Sequence, residues 1–569
     1  MPTFVDLSVI FAFLVHSQRS VALPNPAQIV LAPSRTSALS DWPGQGGEYA
    51  GLIEQNDRGH RFNVLHHLAG ISPYFDSYGG GIDPAPPPGC KVGAATYYVR
   101  HSNIAANDDE YEETMGPFVE KLESRSNQMD WSSEGVKALG LEFLGNWTSP
   151  IDKDGKDNGR GLEDLTKSGR VDAKALGKRL RHLYMHLLPH EQKGRREPFN
   201  VWAASAKRDV GSAEAFIQGL IPGHDQPSSL GRVEEDDDEE AKSSRNWCAR
   251  LFDWLTTKSK HKWHVRLIKV DVKEKDWGQS LTPHKVCDKF SKERGKSERD
   301  QWRDVYTKSI LERLSKELPD FDWTANDVVA MQQLCGYETV IRGSSPLCKV
   351  FSEEEILDFE YYNDVYYYNM LGYADQAQFT KALGVPFLIT ATKKLLNLTS
   401  LEYPPPPGRS DFDAVAELKK KPKLPTPTAP PNNTNTPQRL WVYFTHREEP
   451  PVLLTALNLF YDSEPLSSTS RNPSRKWITS RIIPFLGHVA IERLHCTPIP
   501  FQQQHEDRER HPEEEYIRVI VNGSPQPLED CQGGPGKSCS AKNWVEWIKN
   551  RKKVVGDFEN ACRKDEGDP

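Results

Sequence analysis

The sequence predicts an α/β fold: a mixed sheet flanked by helices, with a mostly helical region inserted between its two halves. Three observations predict it. Ala94 to Ser102 (Ala-Ala-Thr-Tyr-Tyr-Val-Arg-His-Ser) and Leu440 to Glu448 (Leu-Trp-Val-Tyr-Phe-Thr-His-Arg-Glu) are apolar, β-branched and aromatic runs that read as buried strands, each ending on a histidine. Long stretches between them carry apolar residues at helical spacing. At 569 residues the chain can bury a large core and build two lobes.

Along the chain, an apolar run from Leu7 to Val15 precedes Ser20-Val21-Ala22. It is too short to span a bilayer and reads as a signal peptide, residues 1–22, with cleavage after Ala22. No later segment is long and apolar enough for an integral membrane span. Residues 23–223 are expected to form the N-terminal part of the α/β unit. They start with a Pro-, Ser- and Gly-rich arm at 23–50, followed by the first strand. A helix is expected within 160–195, where Leu165, Ala173, Leu176, Leu180, Leu183 and Leu187 recur, and another from Ser212 to Leu220 before Pro222-Gly223. Residues 224–385 read as the mainly helical insertion. It opens with a loop at 224–265 whose acidic run, Glu234 to Glu240, is a solvated stretch rather than a metal site. Helical patterning follows at 299–334 and 352–385. In the second of these, Phe359, Tyr361, Tyr362, Tyr366 and Tyr367 form an aromatic stripe suited to core packing, with Asp358, Glu360 and Asp364 on the expected solvated side. Residues 386–569 complete the α/β unit after a flexible, Pro- and Lys-rich loop at 403–438. They carry the second histidine strand and then a final αβ-type region, 451–569, with Val452 to Phe460, Tyr516 to Val521 and a closing helix near Trp544.

Net charge is −8, which gives no reason to expect a nucleic-acid partner. Sequons at Asn146, Asn397 and Asn432, and a weaker one at Asn522 before Pro525, agree with a secreted chain, free or associated with a cell wall. Nine cysteines in an oxidising compartment predict four bridges and one leftover thiol. Cys335/Cys348 and Cys531/Cys539 are close enough in sequence to close short loops, and the remaining connectivity is open.

Catalytic groups in open α/β sheets gather at the carboxyl ends of strands. The dipeptide Arg-His occurs three times, at Arg100-His101, Arg181-His182 and Arg510-His511, but only the first ends a strand. An imidazole there can attack phosphorus and hold the phosphoryl group covalently. The Arg100 guanidinium offers a planar fork to phosphate oxygens, and His446 can donate a further hydrogen bond. Glu448 can protonate the departing alkoxide and then activate water. This chemistry needs no cofactor and no metal. A serine hydrolase is disfavoured, because the chain has no Gly-x-Ser-x-Gly elbow.

From about residue 61 to 563 the chain resembles the histidine acid phosphatases (branch 2 histidine phosphatases), in particular the secreted fungal phytase-like enzymes. The resemblance rests on several stretches. Phe62 to Phe75 looks like the lead-in to the first strand, and Cys90 stands before Arg100-His101. Leu165-Thr-Lys-Ser-Gly169 looks like a Leu-Thr-x-x-Gly helix start. Arg208 and Ser212 to Gly219 resemble the next block, and Cys335 to Glu354 a paired-cysteine block. Cys496, Val519 to Gly523, Cys531, Cys539 and Cys562 follow the C-terminal pattern. The resemblance implies a phosphohistidine mechanism with His101 as nucleophile, Glu448 as proton donor, and Arg100 and His446 binding phosphate. It also implies bridges Cys90–Cys496, Cys287–Cys562, Cys335–Cys348 and Cys531–Cys539, with Cys248 left over.

The chain departs from the family at important positions. The usual Arg-His-Gly-x-Arg-x-Pro reads Arg100-His101-Ser102-Asn103-Ile104-Ala105-Ala106, and Trp202 stands where a further phosphate-binding arginine is usual. The proton-donor motif reads His446-Arg-Glu448 in place of the usual His-Asp, and looks more like the His-Ala-Glu of the inositol polyphosphate phosphatases. Losing one preorganised donor to a developing anion typically costs ~10²–10³ in rate, so Lys207 or Arg447 is expected to restore charge. The leading expectation is a secreted acid phosphatase acting on a phosphorylated small molecule, with inositol phosphates among the candidates. The alternative is a catalytically impaired binding protein on the same fold. Oligomeric state is not legible in the sequence.

Overall fold

The computed structural model describes residues 53–55, 61–77, 81–152, 160–188, 199–221, 265–276, 279–374, 378–401, 438–497, 514–555 and 558–562. The expected signal peptide, the acidic run, most of both expected loops, Asn432 and Cys248 lie outside the described residues. A small antiparallel pair, β1 (Ile53–Gln55) and β2 (Arg61–Asn63), precedes the main sheet. The sheet comprises β3 (Cys90–Arg100), β4 (Phe199–Ala204), β5 (Val265–Val270), β6 (Leu440–Thr445), β7 (His488–Cys496), β8 (Glu514–Val521), β9 (Ser524–Gln526) and β10 (Cys539–Ser540). Its order is β10-β8-β7-β3-β6-β4-β5, with β9 on β8. The β5-β4-β6-β3 half is parallel, and the half from β3 through β7 and β8 is antiparallel. The sheet is therefore mixed, as the sequence predicts.

The two histidine strands are direct neighbours. β3 and β6 pair in parallel from Ala95↔Leu440 to Arg100↔Thr445. From Val92 onward every β3 residue is buried, the signature of a strand covered on both faces. Val92, Ala95, Tyr97 and Val99 pack into one core with the helices at Lys167–Tyr184 and Lys207–Leu220, and Ala94 and Tyr98 face the other.

The helices are α1 (Gly116–Arg125), α2 (Lys167–Tyr184), α3 (Lys207–Leu220), α4 (Lys296–Glu317), α5 (Ala325–Arg342), α6 (Glu353–Leu371), α7 (Gln378–Leu395), α8 (Glu449–Ala456) and α9 (Ala541–Val555). α2 and α3 pack on each other and cover one sheet face; α7, α8 and α9 cover the opposite face, and α1, α4, α5 and α6 pack beyond them in the same core. The layer order is helix–sheet–helix. The start of α2 explains its motif: Thr166 caps the helix by accepting from the Gly169 N–H at 3.0 Å and also donates its own N–H to the Asn103 carbonyl at 2.9 Å. A Cβ on Gly169 would stand 2.4 Å from that carbonyl oxygen, so only glycine lets the helix approach the segment after His101.

Four disulfides form, Cys90–Cys496, Cys287–Cys562, Cys335–Cys348 and Cys531–Cys539. They fit a chain folded in an oxidising compartment. No helix among the described residues is long and apolar enough to cross a membrane.

Some expectations need correction. Val265–Val270, where the loop at 224–265 ends, is an edge strand of the sheet and not part of a helical insertion. The helical layer also recruits α1 from the N-terminal part, with Phe118 packing edge-on against Phe321. Glu360 and Asp364 do not lie on a solvated face: both are buried and meet Arg475, at 2.9 Å and 2.5 Å. Asn146 and Asn397 are exposed, whereas Asn522 is fully buried. Its side chain accepts from the His488 N–H at 2.6 Å and donates to the Arg481 carbonyl at 2.7 Å, so the folded chain offers no acceptor there.

Candidate active site

Because β3 and β6 end in register, their carboxyl ends deliver Arg100-His101 and His446-Arg447-Glu448 side by side. The His101 N–H donates to the Thr445 carbonyl at 2.8 Å, locking the two strand ends together. A cavity of about 330 Å³ opens at this point. All five of these residues line it, together with Arg208, His284, Lys285 and Lys292 and the acids Asp108 and Glu163.

His101 is buried, and its Nδ1 lies 2.9 Å from the Ser102 carbonyl. A carbonyl only accepts, so Nδ1 carries the proton and Nε2 keeps its lone pair. Burial, with Arg100 and Arg208 nearby, holds this imidazole well below its usual 6.5. It therefore stays neutral in acid, as a nucleophile must. The segment behind it is fixed from two sides: the Ser102 N–H donates to Ser212 Oγ on α3 at 2.9 Å, and Asn103 donates to Asp172 on α2 at 2.8 Å.

Arg100 is fully buried, donates to the carbonyls of Gly70 and Ile483, and lies 4.5 Å from the Phe485 ring centre. Burial and the like charge of Arg447 push it down to about 10. It is paired with carbonyls rather than with a carboxylate, so its charge remains available to an anion.

His446 follows β6 directly, and its Nδ1 lies 2.8 Å from Asp209 Oδ2 in the first turn of α3. The contact is off the line of a directed hydrogen bond, so charge attraction carries it. Burial acts to lower the His446 pKa, but the Asp209 carboxylate outweighs it and the net direction is upward, favouring the imidazolium.

Burial penalises the Glu448 carboxylate, yet His284, Arg447, Lys292 and His446 together hold its carboxyl well below the usual range. Glu448 is also the N-cap residue of α8, where the helix dipole favours a negative charge. In the free protein it is therefore ionised.

The two expected compensating charges differ in placement. Arg447 lines the cavity, bonded to Glu110 and to Asn107 Oδ1 at 3.1 Å. Lys207 is exposed at the start of α3 and is not among the residues lining the cavity; its neighbour Arg208 is, paired with Glu163. Trp202 is absent from the lining too: it stacks on Tyr443 at 5.0 Å beneath Lys394. Ile104 reaches the cavity wall, bridged to Leu165.

Sequence reasoning missed His284, Lys285, Lys292 and Asp209. No local pattern marks the first three, because β5 ends at Val270 and His284 follows only after a long connecting stretch, unlike His101 and His446, which directly follow their strands.

The chain matches the model of the histidine phosphatase superfamily (branch 2) over residues 106–522, well over half of its 569 residues. The match begins just past His101, where the usual motif is altered. A phytase of Candida albicans is 23% identical over 506 residues, covering 88% of this chain and 86% of that protein. An acid phosphatase of Komagataella pastoris is 25% identical over 494 residues, covering 85% and 83%. The crystal structure of the phytase from D. castellii superposes with a TM-score of 0.63 at 18% identity, covering 92% of this chain and 93% of that one. Two helical layers around a mixed sheet, two histidine strands paired at its centre and a family match across most of its length place this chain in the histidine phosphatase superfamily, branch 2.

Proposed function

We propose that the chain is an acid phosphatase that hydrolyses phosphate monoesters through a phosphohistidine, acting outside the cell. The observation that carries the reading is the 2.9 Å contact of His101 Nδ1 with the Ser102 carbonyl, which leaves Nε2 free to act as the nucleophile in a cavity lined by Arg100, Arg208, His446 and Glu448. Relatives named as phytases and acid phosphatases support phosphate monoesters, inositol phosphates included, as the substrate class.

In the first step His101 Nε2 attacks phosphorus, the ester P–O bond breaks, and the leaving alkoxide takes a proton from Glu448. Since Glu448 is ionised in the free protein, that proton arrives with the substrate: a phosphate monoanion brings one, and its charge raises the Glu448 pKa. Acidic pH supplies that monoanion. In the second step Glu448 takes a proton from water, the oxygen attacks phosphorus, the P–N bond breaks, and His101 is regenerated. Arg100 and the His446 imidazolium neutralise charge on the phosphoryl oxygens throughout.

Arg208, Arg447 and Lys292 already face Glu163, Glu110 and Asp109. That balance favours substrates less charged than phytate. The rival reading, an impaired binding protein, draws no support from the relatives or from a cavity that gathers nucleophile, cations and carboxylate. The test is phosphate release from p-nitrophenyl phosphate between about pH 3 and pH 7, wild type beside His101→Ala. Activity in acid that vanishes in the variant is expected; equal rates in the two folded proteins refute the reading. A strong preference for phytate over the aryl phosphate refutes the substrate argument alone.

A further inference from the structure

Beside the catalytic cavity, His284, Glu448 and Glu449 bring three potential ligand atoms within 4.8 Å of one another, all from buried side chains. His284 Nδ1 is in direct contact with Glu449 Oε1. The second oxygen, Glu449 Oε2, is buried without a hydrogen-bond partner, in a residue with no exposed surface. An unsatisfied carboxylate oxygen in a dry interior costs free energy. No step of the proposed reaction uses Glu449 or His284.

We propose that His284, Glu448 and Glu449 form a divalent-cation site of the zinc class, whose occupation switches the enzyme off by ligating Glu448. One imidazole nitrogen and two carboxylate oxygens suit zinc, whereas magnesium and calcium prefer six or more oxygens. Zinc bonds of about 2.0–2.2 Å set ligand atoms roughly 3.4 Å apart, so modest side-chain rotations close the set. His284 and Glu448 both line the cavity, which gives the ion an entry path and a water as fourth ligand. The surrounding cations are shared with other acids, Arg447 and Lys292 with Glu110 and Asp109 and His446 with Asp209, and Arg447 Nε reaches Glu448 only at 3.6 Å. The two carboxylates of the cluster therefore offer oxygen ligands to an incoming ion. A metal-bound carboxylate can neither give nor take the proton that the leaving group and the water require; this inhibitory consequence rests on Glu448 being the donor.

The experiment is titration of the full chain with Zn²⁺ alone by calorimetry, wild type beside Glu449→Gln and His284→Asn. It is paired with p-nitrophenyl phosphate hydrolysis over the same zinc range. One equivalent bound by wild type is expected, weakened ~100-fold or more in each variant, since loss of even an outer partner costs 10–100-fold. Inhibition should track occupancy and be reversed by a chelator. Should the buried substitutions prevent folding, Glu448→Gln, at the cavity wall, serves in the binding arm. Equal zinc affinity in wild type and variants overturns the site, whatever the activity. Site-specific binding that leaves hydrolysis untouched overturns the switch. Binding that maps to these residues in a protein without phosphatase activity upholds the site and fails the catalytic reading instead.

Discussion

Replacing Asp209 with Asn should move the alkaline limb of the pH–rate profile to lower pH. His446 Nδ1 sits 2.8 Å from the Asp209 carboxylate, and neither of the carboxylate oxygens is spent on another hydrogen bond. The carboxylate is thus what keeps a buried imidazole protonated against its own desolvation and the Arg208 charge. An opposite charge at this range favours the protonated imidazole. The sign follows directly. A raised pKa keeps His446 cationic in acid and beyond its usual 6.5, and phosphate binding fails as pH rises through the raised value. In Asp209→Asn burial and Arg208 act with less opposition, so that failure begins at lower pH. Glu449 also favours the imidazolium and tempers the change. The assay is kcat/KM for p-nitrophenyl phosphate against pH, whose phenolate leaves with little help from Glu448, alongside an NMR titration of the His446 ring. An unmoved alkaline limb in folded Asp209→Asn protein, or one displaced upward, refutes this account of His446.

Other outcomes follow from the same geometry. Glu448→Gln should slow alkyl phosphates ~10²–10⁴-fold and aryl phosphates much less, read as the ratio of kcat values. Arg208→Ala should raise KM for phosphate esters by about tenfold or more, while Lys207→Ala, exposed and outside the cavity, leaves KM unchanged; steady-state kinetics separates the two. Gly169→Ala places a methyl 2.4 Å from the Asn103 carbonyl oxygen and should cost ~1–3 kcal/mol, displacing the segment behind His101, so kcat and Tm both fall. Arg475→Ala leaves Asp364 and Glu360 buried without the guanidinium they share, Glu360 keeping its contact with His67 at 3.1 Å. It should destabilise by ~3–5 kcal/mol, seen as a large drop in Tm.

What was legible in the sequence is what local pattern encodes. Ala94–Arg100 and Leu440–Thr445 are apolar enough to announce central strands, and the histidines at their ends follow from position alone. The helix near Leu165 and the aromatic stripe of α6 were equally plain, because their periodicity is carried by neighbouring residues. The failures depended on distant partners. Glu360 and Asp364 look like surface acids until Arg475, more than a hundred residues on, is placed between them. β5 alternates Arg266 and Lys269 with apolar residues and is half exposed, as an edge strand is, so it lacked the continuous apolar signal of β3. Lys207 and Arg208 are adjacent cations at a helix start, and only the helix phase decides which one enters the cavity. Asp209 gave no sign of its role, since His446 is over two hundred positions away.

The pairing of β3 with β6 and β7 also sets a schedule for synthesis. Both neighbours of β3 lie in the last third of the chain, Thr445 pairing with Arg100 345 residues earlier. At about 5–20 residues per second, β3 leaves the ribosome ~17–70 s before either neighbour exists. During that interval a strand built from Ala, Tyr and Val has two open edges, the arrangement most prone to wrong pairing. His101 is thus made early and positioned late. Whatever shelters β3 through that interval, a chaperone or contacts within the nascent chain, governs the yield of active protein more directly than the stability of the finished fold.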